Sequence, residues 1–175
     1  VTITSIKTAL TGYEYYTVVG NHDIKWIGKD SFLESFGQYT LDGETKRGYY
    51  SFDNHGYHFI VIDPIYDASG DDLTGQTSGS YYIPQHELDW LADDLNKNLD
   101  KQTFVFCHTR LDATVSELGS NAVVDADGLA VRTVLEAAGN VRAVFQGHVH
   151  DNVYQEVNSI HYFTMEGMVD TSYVA

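Results

Sequence analysis

The chain has one cysteine, Cys107, so no disulfide can form within it. It has only two prolines and no apolar run near the ~20 residues of a membrane span. No signal peptide is visible, and the first residue is Val1 rather than Met, which leaves a processed or excised chain open. Positive charge is also scarce. Ten Lys and Arg stand against 25 Asp and Glu, for a formal charge of −15. Scattered cations of this number cannot track a phosphate backbone or an anionic bilayer, so neither nucleic acid nor membrane is expected as a partner. An anionic substrate would need local positive charge that so few Lys and Arg supply poorly, and a bound cation could supply it instead. The cysteine count does not separate a bacterial cytoplasmic protein from a secreted one.

At 175 residues with 43% hydrophobic and 20% charged, the chain has enough apolar content for one folded domain. Residues 3–10 space their apolar side chains as a short helix. Residues 13–19 (YEYYTVV) read as a strand running into a loop at 20–23. Residues 24–47 read as short helices and loops. Strands are expected at 49–52 and 57–63, joined by the turn chemistry of Asp53-Asn54-His55-Gly56. Residues 66–82 are rich in Gly, Ser, Thr and Asp and read as a long exposed loop. Residues 84–95 form an amphipathic helix with Leu88, Leu91 and Leu95 on one stripe. A strand at 103–107, an irregular segment at 112–127, a helix at 129–138 stopped by Gly139, and strands at 141–145, 153–157 and 160–165 complete the pattern. Strands alternating with helices predict a layered α/β domain with its site at strand C-termini.

Histidines follow three of those strands: His22 after 15–19, His108 after 103–107, and His148 with His150 after 141–145. Two imidazoles two residues apart on an extended backbone point to one side and can address one metal or two neighbouring ones. Asn21 adds a neutral oxygen donor for a hard cation. Each histidine alone is an ordinary surface or core residue, as expected for His55, His58, His86 and His161, and Cys107 is expected to be a small core hydrophobe. The ordered combination is what carries weight. A Ser-His-Asp hydrolase is disfavoured, because no Gly-x-Ser-x-Gly elbow occurs and Ser78-Gly79-Ser80 has no strand before it. A Cys107–His108 dyad is poor geometry, since adjacent strand residues face opposite sides.

The sequence resembles the calcineurin-like metallophosphoesterases over nearly its whole length. The features are Gly20-Asn21-His22-Asp23, the strand pair at 49–53 and 58–63, the helix with Gln85, Leu88, Trp90 and Leu91, the box Phe106-Cys107-His108, and Gly147-His148-Val149-His150. Relatives often carry His-His-Pro where this chain has His108-Thr109-Arg110. The resemblance implies a layered α/β/β/α sandwich and a dinuclear centre of divalent ions (Mn, Fe, Zn, Mg, Ni or Ca) that hydrolyses phosphate monoesters or diesters. It implies Asn21, His108 and His148 as ligands of one metal and His150 as a ligand of the other. His22 would stand beside the scissile phosphate, oriented by Asp23.

The family's Asp-x-His and Gly-Asp-x-x-Asp boxes have no counterpart among the 19 residues before Gly20, which contain neither Asp nor His. Asp53-Asn54-His55 fits the first pattern but out of order, and Gly70-Asp71-Asp72-Leu73-Thr74 lacks the last acid of the second. Residues 1–175 are therefore expected to form a single incomplete domain with its N-terminal portion missing. The competing expectation is a non-catalytic or truncated module with a partial, one-metal site. Self-association is one way in which the fold would be completed.

Overall fold

The computed structural model describes residues 3–75, 80–112, 123 and 125–167. The elements in chain order are α1 (Ile3–Ala9), α2 (Asn21–Ile27), α3 (Lys29–Phe36), β1 (Thr40–Asp42), β2 (Thr45–Arg47), β3 (Tyr50–Asn54), β4 (Tyr57–Ile62), α4 (Gln85–Lys97), β5 (Thr103–Cys107), α5 (Asp125–Ala138), β6 (Val141–Gln146), β7 (Val153–Val157) and β8 (Ile160–Thr164). Six strands make one mixed sheet in the order β3-β4-β5-β6-β8-β7. Its centre, β4-β5-β6-β8, is parallel, and antiparallel β3 and β7 close its edges. The helices α4 and α5 fill the crossovers β4→β5 and β5→β6 and pack against each other. The parallel strands therefore end on one side of the sheet, and the loops that follow them meet there.

Alternation along the strands decides the two faces. In β5, Thr103, Val105 and Cys107 are buried, while Phe104 and Phe106 lie on the other face, half-buried. The buried face joins Ile60, Ile62 and Val144 to Leu91 and Leu95 of α4 and to Val131 and Leu135 of α5. Truncation of any one of these leucines to Ala costs about 2–5 kcal/mol. On the other face, cross-strand aromatic pairs form a ladder. Phe52 stacks on Phe59 and Phe59 on Phe104, with centroids 5.1 and 5.7 Å apart. Phe106 stacks on Phe145 and Phe145 on Phe163, at 5.2 and 5.4 Å.

Residues 13–19 form no ladder, contrary to the strand expected there. Side chains satisfy this backbone instead. Thr17 N–H donates to Gln38 Oε1 and to Tyr50 Oη, Tyr50 Oη donates to Thr17 O, and Gln38 Nε2 donates to Tyr15 O. The loop expected at 20–23 is the start of α2. Gly20 O accepts from Asp23 N–H, and Asp23 Oδ2 accepts from Gly20 N–H at 2.9 Å. Within 24–47 the chain also forms the small hairpin β1–β2. The irregular segment expected at 112–127 lies mostly outside the described residues, as do 76–79 of the long loop. The helix after it begins at Asp125, four residues earlier than expected. The β3–β4 hairpin is as expected, with His55 and Gly56 both at positive φ, 50° and 83°.

Near the start of β4, His58 is buried between two carboxylates. Its Nδ1 lies 2.8 Å from Asp53 Oδ1 and its Nε2 2.7 Å from Asp94 Oδ2. Burial opposes a charge on the ring, but the bonds to Asp94 and Asp53 outweigh it and hold the imidazole above its ordinary value. A raised folded-state pKa gives stability that is complete below the unfolded value of about 6.5 and is lost as pH rises through the folded one. The stability difference between wild type and His58→Phe is expected to be larger at pH 5.5 than at pH 8.5 in urea unfolding. An equal difference at both would show that the ring's charge contributes nothing.

Candidate metal centre

Three of the sequence-predicted residues meet where β5 and β6 end. Asn21 opens α2 and is fully buried; His108 follows Cys107 of β5; His148 lies two residues past Gln146 of β6. His108 Nε2 is 2.9 Å from Asn21 Oδ1 and 3.0 Å from His148 Nδ1. The His108 and His148 rings meet edge to face at 4.9 Å, and the buried Tyr81 ring stands edge to face with His148 at 5.1 Å. His148 Nε2 is buried with no hydrogen-bond partner among the described residues.

Electrostatics keep these rings neutral. Burial, followed by the imidazoles of His148, His22 and His150, pushes His108 down to about 3. Burial, then His150 and His22, pushes His148 down to about 4. Neutral imidazoles have the free lone pair that a metal requires, with no proton to displace at neutral pH. His22 adjoins Asn21 at the start of α2, and His150 lies two residues past His148. The backbone at 147–150 is not the extended segment expected. His148 and His150 both sit at positive φ, 71° and 54°, so the two-residue spacing alone does not set their directions. Such conformations cost about 1–3 kcal/mol each and persist only where surrounding contacts impose them. Gly147 N–H donates to His108 O, which ties the two histidine loops together.

Close packing fixes the rings. A Cβ on Gly20 would stand 2.8 Å from His108 Cε1 and Nδ1, and one on Gly167 would stand 2.8 Å from His150 Cγ. Gly20→Ala must therefore displace the His108 ring. It is expected to cost about 1–3 kcal/mol, as overpacking does, with a matching loss of urea midpoint. An unchanged midpoint would show that the ring has room to move.

Sequence reasoning missed the supports of this site because their partners are far away in the chain. Buried Gln146 accepts from Leu111 N–H at 2.8 Å and donates to Asp112 Oδ1 at 2.5 Å and Thr164 Oγ1 at 3.1 Å, bracing the loop after His108. Arg110 is no free cation for a phosphate, since Asp112 holds its guanidinium through two bonds of 2.9 and 3.1 Å. Lys29 is buried beside the end of β4. It pairs with Asp63 at 2.9 Å and Asp72 at 2.6 Å, donates to Ile65 O, and lies 3.6 Å from the Tyr66 ring centroid. Glu87, fully buried, accepts from Asp63 N–H at 2.8 Å. Burial, then the Asp63 carboxylate, raises the Glu87 carboxyl well above the usual range. Cys107 is a buried core thiol that burial pushes up to about 12, which removes it as a nucleophile.

The out-of-order pair Asp53 and His55 takes no part. Both lie in the β3–β4 hairpin at the start of β4, and His108 follows the end of parallel β5. Asp53 pairs with His58 and Lys101, while exposed His55 bonds Asn54. Among the described residues, no cluster of three or more His, Cys, Asp or Glu side chains is arranged to hold an ion. The donors present fit one face of a divalent shell: the amide oxygen of Asn21 and the neutral imidazoles of His108 and His148, the latter ring carrying the unpartnered buried Nε2. They include no carboxylate.

Residues 4–152 match the model of the calcineurin-like phosphoesterase family, and the chain belongs to that family. Its fold is that of solved relatives at low identity. A dimetal phosphatase from Danio rerio superposes with a TM-score of 0.72 at 15% identity, over 95% of this chain and 65% of that one. PhoD matches with a TM-score of 0.50 at 12% identity, over 80% of this chain and 34% of PhoD. A Staphylococcus aureus protein assigned as a 5'-nucleotidase matches at 0.51 and 13% identity, over 93% of this chain and 33% of that one. The chain thus spans about two-thirds of the first structure's length and a third of the other two. No curated protein sequence matches it. No helix among the described residues is long and apolar enough to cross a membrane.

Proposed function

We propose that this chain carries the histidine half of a metal centre that hydrolyses phosphate monoesters or diesters. The observation that carries the reading is the convergence of Asn21 Oδ1 and His148 Nδ1 on His108 Nε2, at 2.9 and 3.0 Å, at the strand ends of a fold of this family. These three would hold one divalent ion, and His150 would contribute to a second. When bound, such ions polarise the phosphoryl oxygens and lower the pKa of the attacking water. The chain's own residues position and protonate. His22, held at the first turn of α2, stabilises or protonates the leaving oxygen as the P–O bond breaks. Asp23 fixes that turn through Gly20 N–H and so sets the direction of His22. The ions supply the positive charge that an acidic chain with a neutralised Arg110 does not.

A second reading is favoured by the lack of a carboxylate among these donors: a one-metal module without catalysis. Release of 4-nitrophenolate from 4-nitrophenyl phosphate separates the two. The first reading predicts turnover with added Mn2+, lost with chelator and in His148→Ala, and reduced by about 100-fold or more in His22→Ala, as for loss of a general acid. Metal uptake without turnover in wild type would establish the second.

A further inference from the structure

We propose that Trp26 is a stacking surface for an aromatic group carried by the phosphate ester, which makes aryl-type esters the preferred substrate class. The inference rests on the phosphoester reading above. It starts from an indole that the fold leaves in solvent. Trp26 is 81% exposed, more than any other large hydrophobic residue among those described. Burying an aromatic side chain is worth so much that such exposure, beside a candidate site, points to a ligand.

Its position gives it a use. Trp26 lies four residues after His22 within α2, and Lys25 lies three after it. Residues at those spacings are neighbours on a helix surface, with Cβ atoms about 5–6 Å apart. His22 follows Asn21, whose Oδ1 lies 2.9 Å from His108 Nε2, so the first turn of α2 abuts the candidate metal site. A phosphate held against His22 would thus have Trp26 one turn away, within reach of a ring on the ester oxygen. Lys25 Nζ sits 4.9 Å from the Trp26 ring centroid. No carboxylate among the described residues pairs with Lys25, so its charge is available next to the indole. In a chain with ten cations and a net charge of −15, Lys25 sets one of those cations beside an aromatic plane. An anion with an attached flat ring matches both features; an alkyl or sugar phosphate matches only the charge.

The test uses two non-hydrolysable probes with the same headgroup, phenylphosphonate and methylphosphonate, titrated calorimetrically into the Mn2+-supplemented chain. Stacking on an aromatic side chain predicts that phenylphosphonate binds about tenfold tighter in wild type. Trp26→Ala is expected to abolish that preference and leave methylphosphonate unchanged, while Trp26→Phe keeps most of it. A preference that survives Trp26→Ala overturns the inference. So does equal binding of the two probes to wild type, which leaves the phosphoester reading standing. If neither probe binds wild type, the phosphoester reading itself fails and the inference falls with it.

Discussion

Alanine at His148 is expected to lower the affinity for a divalent ion by more than about 100-fold, because loss of a ligand should exceed the 10–100-fold typical of losing an outer support. The ring is the hub of the site. Its Nδ1 faces His108 Nε2 at 3.0 Å, its ring meets that of Tyr81 edge to face, and its Nε2 has no hydrogen-bond partner among the described residues. With all donors neutral, no remaining charge compensates for the lost ligand. Hydrolysis of 4-nitrophenyl phosphate should fall with the metal. Because His148 packs against two rings, the control is His148→Gln, which keeps bulk and hydrogen bonding. Equal metal affinity in wild type and both variants would remove His148 from the site.

Lys29→Met is expected to have the largest effect on stability. The Lys29 side chain is 2% exposed and the Asp63 carboxylate 0%, so the substitution leaves a buried anion without its cation. Breaking such a pair costs about 3–5 kcal/mol, a large share of the roughly 5–15 kcal/mol that holds a domain folded. The loss extends beyond the pair, since Lys29 also binds Ile65 O and Asp72 and thereby anchors the segment after β4 to α3. The double variant Lys29→Met with Asp63→Asn removes the stranded charge and keeps an acceptor for Ile65 N–H. It should recover part of the loss in urea unfolding. A single variant within about 1 kcal/mol of wild type would contradict the buried-pair account.

The parts of this fold legible in the sequence are those with local causes. The hairpin at 53–56 follows from Asn, His and Gly chemistry, and α4 from its leucine stripe. The strands β5 and β6 appear as short apolar runs ending at a histidine or a glycine. Non-local pairing hid the rest. Residues 13–19 have every strand-forming residue type, yet Gln38 and Tyr50 take their backbone groups through side chains. The hairpin β1–β2 is short and polar and gave no periodic signal. The candidate site residues stood out by their order in the chain, but the backbone conformation that aims them did not. Nothing in the local sequence signals the positive φ at His148 and His150, nor the close approach that leaves no room for a Cβ on Gly167 beside the His150 ring. Lys29, Asp63 and Glu87 show no pattern either, because 34 and 24 residues separate these buried partners in the sequence.

The most direct test of the account is the metal content of the purified chain after dialysis against Mn2+ without chelator, measured for wild type and His108→Ala. The account predicts at least one bound ion per wild-type chain and none retained by the variant, since His108 Nε2 contacts both other donors. Equal metal content in the two would contradict it, by placing the ion away from Asn21, His108 and His148.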